Sequence, residues 1–142
     1  MTDIFDEMLD FDNKKPFKKA AGGKYRATII GTASCQNPHK GTKGFEITLV
    51  LQNALSGQDV EGIDLNKIKP RDTHWVTENS REVVMDRFFR KVMPDIHGQH
   101  SIPELLDQVI GKDVVVNLER EPYTDSQGRE RDRFVVVSYE AA

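Results

Sequence analysis

The chain has 142 residues, 37% of them hydrophobic, and a formal net charge of −3. This length fits one domain with an N-terminal extension, and no apolar run approaches the roughly 18 residues of a membrane span, which excludes a membrane-spanning protein. The acidic start predicts no targeting peptide, and the single cysteine, Cys35, excludes an internal disulfide, so we expect a cytoplasmic protein.

Residues 1–23 form the extension, in which an acidic segment precedes a lysine cluster. The segment from Asp3 to Asp12 carries five carboxylates and no basic residue, so the remainder of the chain has a net charge of +2. Its apolar residues have helical spacing: Ile4, Phe5, Met8, Leu9 and Phe11. Two interpretations stay open, an amphipathic helix that docks on a partner and a disordered tail.

Alternating apolar residues predict three strands in the first half of the domain, residues 24–142. The first is Lys24 to Cys35 and the second is Phe45 to Gln52. The third is weaker and is expected within Asp59 to Leu65, resumed at His74 to Val76 beyond Pro70. The residues expected in the core of the first two strands are Tyr25, Ala27, Ile29, Phe45, Ile47, Leu49 and Leu51.

The period then changes to that of helices. Ser80 to Met93 predicts an amphipathic helix that ends at Pro94, with its apolar stripe at Val84, Met85, Phe88, Phe89 and Val92. A second, short helix is expected after the capping-box pair Ser101 and Glu104, ending at Gly111. The residues expected to be buried in it are Leu105, Leu106, Val109 and Ile110.

The last stretch, Gly111 to Tyr139, predicts a hairpin. Its strands are Asp113 to Glu119 and Phe134 to Tyr139, joined by the polar loop Arg120 to Asp132, in which Gly128 favours a turn. Three strands, a helical connection and two strands are the element order of the OB-fold, a five-stranded β-barrel. Such barrels bind oligonucleotides or oligosaccharides on strands 2 and 3 and on the loops after strands 1 and 4, here Gln36 to Gly44 and Arg120 to Asp132.

Both loops carry side chains suited to single-stranded nucleic acid, which is held by a basic groove and by aromatic rings that stack on bases. The candidate residues are Lys24, Arg26, Lys40, Lys43, Trp75, Arg120, Tyr123, Arg129 and Arg131. Tyr25 is a further candidate platform. The hairpin arginines alternate with acidic residues, so cross-strand ion pairs explain them equally well, and Trp75 and Tyr25 are equally well explained as core.

Catalytic patterns are poorly represented. The domain has no glycine-rich phosphate loop and no Glu-x-Lys element, and His97 and His100 lack further ligands at metal-binding spacing. We therefore predict a protein that is not an enzyme and takes no metal or other cofactor.

The segments GKYRATI, KGTKGFEITLVL and LLDQVIGKDVVVNLEREPYTDSQGRERDRFVVV resemble phage and prophage single-stranded-DNA-binding proteins of the OB-fold type. The resemblance covers most of Gly23 to Tyr139 and is most specific in Ile110 to Lys112 and in the loop Tyr123 to Arg129. It implies a protein that coats exposed single strands in phage DNA replication or recombination, in the host cytoplasm. It also places four side chains at the DNA cleft: Lys40, Lys43, Tyr123 and Arg129.

Many proteins of this kind carry an acidic, aromatic-tipped tail at the C-terminus, whereas here the acidic segment is at the N-terminus. We expect Asp3 to Asp12 either to recruit replication or recombination proteins or to compete with DNA for the cleft. The alternative function is an OB-like protein–protein interaction module in a replication or phage assembly complex. The sequence leaves open whether copies associate and whether DNA is preferred over RNA.

Overall fold

The computed structural model describes residues 19–142. Residues 1–18 lie outside this range. They include the apolar residues Ile4 to Phe11, the acidic segment Asp3 to Asp12 and the lysines before Lys19, for which the sequence made predictions. The chain enters the sheet at Gly23, next to the expected domain boundary.

Five antiparallel strands form one sheet in the spatial order β3-β2-β1-β4-β5. The strands are β1 (Gly23–Gln36), β2 (Lys43–Ala54), β3 (Arg71–Trp75), β4 (Asp113–Thr124) and β5 (Glu130–Ala141). The helical connection between β3 and β4 comprises α1 (Arg81–Val84), a π-helical turn (Met85–Phe89), α2 (Arg90–Val92) and α3 (Ile102–Val109). The prediction of a mainly β protein with a helical connection is confirmed. No helix within residues 19–142 is long and apolar enough to cross a membrane.

Period-two alternation produces the core of β1, β2 and β4. Tyr25 and Phe45 are completely buried, as are the other predicted core residues of β1 and β2. The core also includes the buried face of β4, which consists of Val114, Val116 and Leu118. The expected core of these strands is therefore confirmed.

Side chains join the two edge strands, β3 and β5, which share no backbone ladder. The Tyr139 hydroxyl on β5 donates to Asp72 Oδ2 on β3 at 2.6 Å, and His74 Nε2 lies 2.8 Å from the same oxygen. Phe88 packs beneath this cluster, with its ring centroid 4.9 Å from those of both His74 and Tyr139. The sheet is therefore curved so that its edges meet, although it is not closed by hydrogen-bonded strands.

We expect the Tyr139→Phe variant to lose less stability than the wild-type protein when the pH is raised into the alkaline range. Burial, and then the Asp72 carboxylate, raise the pKa of Tyr139 well above its usual value of 10. The folded state holds this proton more tightly than the unfolded chain, so the stabilisation is complete below about pH 10 and declines as the pH rises further. Urea unfolding at about pH 8 and about pH 11 measures it. Tyr25 titrates in the wild type and in the variant, so it contributes the same loss of stability to both. If the two proteins lost equal stability between these pH values, the role of Tyr139 would be contradicted.

The prediction of a third strand within Asp59 to Leu65 is wrong. Gly62 has a left-handed backbone (φ 77°), and Asp64 caps a 3-10 turn, Leu65–Lys67, by accepting a hydrogen bond from Asn66 N at 3.2 Å. The chain between this turn and β3 still runs beside β2, because the carbonyls of Ile68 and Pro70 accept hydrogen bonds from backbone N–H groups of β2. The strand itself begins only after Pro70, and it contains His74 and Trp75 from the second part of the prediction.

Two apolar side chains expected in the helical core are exposed. Met85 is 45% exposed, because the π-helical turn that it begins holds more residues per turn and moves it off the buried stripe of Phe88 and Phe89. Ile110 is 47% exposed because it follows the last turn of α3 in an extended conformation. The Ser101 cap is confirmed, since its hydroxyl accepts from Glu104 N at 3.4 Å.

The hairpin has longer strands and a shorter loop than expected. Backbone pairing continues to Thr124 and resumes at Glu130, so most of the predicted loop Arg120 to Asp132 is strand. Charged side chains replace apolar ones in this section, and some of them form ion pairs across the ladder. Only residues 125–129 turn, with Gly128 in the left-handed conformation (φ 76°), as the sequence predicts.

Candidate nucleic-acid interface

An open groove runs between the β4–β5 hairpin and the segment that leads into β3. It consists of two adjoining cavities of about 590 and 650 Å³ that share Ile68 and Phe134. We call it the hairpin groove. Eight basic residues line it: Lys19, Lys67, Lys69, Arg71, Arg120, Arg129, Arg131 and Arg133. Five acidic residues also line it: Glu46, Asp72, Glu121, Glu130 and Asp132. The groove therefore has a surplus of positive charge in a chain that is negative as a whole.

Four predicted site residues from the hairpin lie together in this groove: Arg120, Tyr123, Arg129 and Arg131. Tyr123 exposes 37% of its surface, and the guanidinium of Arg133 lies 5.3 Å from the centre of its ring. An exposed ring beside cationic side chains is the arrangement that stacks on a base and contacts the neighbouring phosphate.

Two of the cross-strand ion pairs that the sequence left as an alternative are formed, Arg120 with Asp132 and Arg133 with Glu121, and two further pairs lie at the turn. Asp125 Oδ2 lies 3.1 Å from Arg129 Nε and 2.8 Å from Arg131 Nε, and Glu121 Oε1 lies 3.4 Å from Arg133 Nη2. The backbone N–H of Arg129, with help from the Arg131 guanidinium, lowers the pKa of Asp125. Arg129, Arg131 and Arg133 are about half exposed or more, so water screens the pairs strongly and a phosphate can compete for the guanidinium groups.

Arg120 has a different role. Its Nε and Nη2 donate to the Ala20 carbonyl at 2.9 and 2.7 Å, and its Nη1 lies 3.2 Å from Asp132 Oδ1. Its guanidinium also lies 4.0 Å from the centre of the Phe134 ring. Arg120 thus holds the entering chain against the hairpin and offers less to a ligand than the other arginines.

Trp75 lies on the outward face of β2 and β3, next to the groove. It pairs with Gly44, and its ring is so close that a Cβ on Gly44 would lie 2.9 Å from Trp75 Cε3. Alternate residues of a strand lie on the same face, about 7 Å apart. The face of β3 that carries Trp75 therefore also carries Thr73 and Arg71, and Arg71 is about 13 Å from Trp75 along the strand. Both Thr73 and Arg71 line the groove. Trp75 is 40% exposed, whereas Tyr25 is completely buried, so the core interpretation holds for Tyr25 alone.

Lys40 lies in the β1–β2 connection and Lys43 is the first residue of β2, beside the Trp75 end of β3. Asn37 shapes the loop by accepting hydrogen bonds from the backbone of His39 and Lys40 at 2.9 and 3.1 Å. Neither lysine forms an ion pair with any residue in the described part of the chain. Because Gly44 is the residue that pairs with Trp75, strand alternation places Lys43 on the opposite face from Trp75.

The remaining two predicted residues lie apart from the groove. Lys24 Nζ lies 3.1 Å from Glu140 Oε1, and Arg26 Nη2 lies 3.1 Å from Asp113 Oδ2. The Thr28 hydroxyl and then the Arg26 guanidinium lower the pKa of Asp113. Arg26 thus joins β1 to its neighbour β4, and Lys24 reaches from β1 to β5, so both lie away from the rest of the predicted site.

Sequence reasoning did not include five basic groove residues among the site residues: Lys67, Lys69, Arg71, Arg133 and Lys19. The first three alternate in the run KIKPR, and this period-two spacing is the signal that was available. Its meaning depends on the segment lying opposite the hairpin, which the sequence pattern does not reveal.

Models of known protein families give no match to this chain, and curated proteins give none either. Within residues 19–142, no group of three or more histidine, cysteine, aspartate or glutamate side chains is arranged to hold a metal ion.

Proposed function

We propose that this protein binds single-stranded DNA with little sequence preference, its phosphates following the hairpin groove and its bases stacking on Trp75 and Tyr123. The observation that carries the proposal is a basic groove whose residues Arg71 and Thr73 share the outward face of β3 with the exposed Trp75. Phosphate neutralisation and base stacking are the two components of sequence-independent binding to single strands.

The proposed fold is an OB-fold. Support comes from the position of β1 between β2 and β4, from the helical connection after β3, and from the edges β3 and β5 that meet through Asp72 and Tyr139. An OB-fold is a partly open five-stranded barrel that binds oligonucleotides on strands 2 and 3 and at the loop between strands 4 and 5. The hairpin groove and Trp75 occupy these positions.

A single strand suits this surface better than a duplex does. Stacking needs a base face that is free, and in a duplex the stacked neighbouring base pairs cover both faces of each internal base. The chain's resemblance to phage single-stranded-DNA-binding proteins supports a role in coating strands during phage replication or recombination in the host cytoplasm. The role proposed here involves no catalysis.

Fluorescence anisotropy of a labelled oligo-dT, compared with the corresponding duplex, tests the proposal. We expect preference for the single strand and a fall in log affinity against log salt with a slope of about −2 or steeper, because each neutralised phosphate contributes about −0.7. Absence of binding at low salt would contradict the proposal. It would favour the second candidate function, a protein–protein interaction module, which the apolar cavity of the helical connection supports.

Replacing Trp75 with alanine should weaken oligo-dT binding about five- to 100-fold, since a stacked base contributes about 1–3 kcal/mol. The salt slope should stay unchanged, because no charge is removed. Trp75→Phe is the matched control and should keep most of the affinity. Since Trp75 is the only tryptophan, quenching of its fluorescence by oligo-dT gives an independent readout in the wild type. An alanine variant with wild-type affinity would contradict stacking on Trp75.

A further inference from the structure

An apolar cavity opens in the helical connection, away from the hairpin groove. It measures about 330 Å³, within the size range of ligand pockets, and Val84, Met85, Phe89, Ile96 and Leu105 form much of its wall. Met85 is 45% exposed at its edge, and methionine adapts readily to apolar partners of different shape. We call it the helix pocket.

Two arginines and two histidines line the helix pocket, Arg81, Arg90, His97 and His100, and no acidic residue is among the lining residues. The Glu104 carboxylate lies next to the pocket, 3.5 Å from His100 Nδ1. Arg90 is paired with Asp86 at 2.9 Å, but both side chains are more than half exposed and the pair is easily exchanged. The pocket therefore suits an apolar segment that carries acidic residues.

The chain itself contains such a segment. Within its first twelve residues, five acidic residues alternate with the apolar residues Ile4, Phe5, Met8, Leu9 and Phe11, which have the i, i+4, i+7 spacing of a helix face that docks into an apolar groove.

We propose that residues 1–12 of one copy dock into the helix pocket of a second copy. The length of chain favours a neighbouring copy. Lys19 is held 3.2 Å from Asp132 in the hairpin groove, whereas the helix pocket begins at Val76, which pairs with Lys43 at the far end of β1. The shortest route along the fold follows β5 for about 23 Å from Asp132 to Tyr139, whose ring centroid lies 4.9 Å from that of Phe88, the neighbour of Phe89 in the pocket wall. Residues 13–18 extend over at most about 20 Å, which is less than this distance. Docking onto a neighbour makes a head-to-tail contact, which links copies into a row. It does not depend on DNA binding.

Paramagnetic broadening in mixed samples tests this proposal with the full chain. The donor carries Cys35→Ser and Thr2→Cys with a nitroxide on the new thiol and is not isotopically labelled. The acceptor is ¹⁵N-labelled and carries no nitroxide. We expect acceptor amides around the helix pocket, in residues 84–90 and 96–105, to lose most of their intensity, and to regain it when the nitroxide is reduced.

Charge variants of the acceptor locate the contact. Arg81→Glu with Arg90→Glu should abolish the broadening. Arg87→Glu with Lys91→Glu is the matched control, since it changes the same charge on the same helical segment outside the pocket, and it should leave the broadening intact. Phe5→Ser with Leu9→Ser in the donor should abolish it as well. Broadening that is absent, that lies in the hairpin groove, or that appears only when nitroxide and ¹⁵N share one molecule would overturn the proposal.

Discussion

Reversing two charges of the hairpin groove, with Lys69→Glu and Arg71→Glu, should weaken oligo-dT binding about 100-fold at about 0.1 M salt. At this salt concentration, each lost phosphate contact lowers the log affinity by about 0.7, because fewer counterions are released on binding. The new carboxylates also repel the phosphates. The slope of log affinity against log salt should become shallower by about 1.4. Both residues are exposed or partly exposed and line the groove wall at the start of β3. Fluorescence anisotropy across a salt series measures both quantities.

The matched control places the same change of charge elsewhere on the molecule. Arg87→Glu with Lys91→Glu lies on the helical connection, outside the groove walls, and should change affinity only a few-fold through the long-range field. An equal loss in the two double variants would show that net charge, and not the groove, determines binding.

Phe88→Ala should destabilise the fold by about 3–5 kcal/mol, the usual cost of removing a large buried aromatic side chain. Phe88 is completely buried, and its ring centroid lies 5.7 Å from that of Phe45 and 4.9 Å from those of His74 and Tyr139. Truncation leaves a cavity beneath the point where β3 and β5 meet. Urea unfolding monitored by circular dichroism measures the change in the free energy of unfolding.

Met85→Ala is the control for this variant. Met85 begins the same π-helical turn but is 45% exposed, so its truncation should cost less than about 1 kcal/mol. If the Met85 variant were as unstable as the Phe88 variant, packing of the helical connection beneath the sheet edges would not be the source of stability.

The sequence predicts those parts of the fold that depend on local pattern. Alternation in β1 and β2 identifies Tyr25 and Phe45 as core because a strand has only two faces. Ser101 identifies the start of α3 because a hydroxyl before an apolar helix satisfies a free backbone N–H. Gly128 identifies the hairpin turn because of its left-handed backbone.

The features that the sequence does not predict depend on contacts between distant segments. Met85 lies off the buried stripe because of a π-helical turn, which leaves no mark in the hydrophobic period. The strand β3 is short and polar, and its pairing with β2 and the approach of Tyr139 to Asp72 define it. Lys67 and Lys69 become part of a groove only because the hairpin folds opposite them.

The hairpin arginines illustrate why the site was only partly identified. In sequence, Arg120, Arg129 and Arg131 are equivalent residues that alternate with acidic ones. In the structure, Arg120 holds Ala20 and Asp132, whereas the more exposed Arg129 and Arg131 share the carboxylate of Asp125. Residue type and spacing do not distinguish an anchoring arginine from one that is free to exchange its partner.

The most direct test of the central claim is a titration of the ¹⁵N-labelled protein with unlabelled oligo-dT, followed by amide chemical shifts. Binding in the hairpin groove predicts that the largest shifts occur in residues 67–75 and 120–133 and in the Trp75 indole N–H, and that they disappear at high salt. Shifts confined to the helical connection, residues 81–109, or no shifts at low salt, would contradict the assignment of this groove to single-stranded DNA.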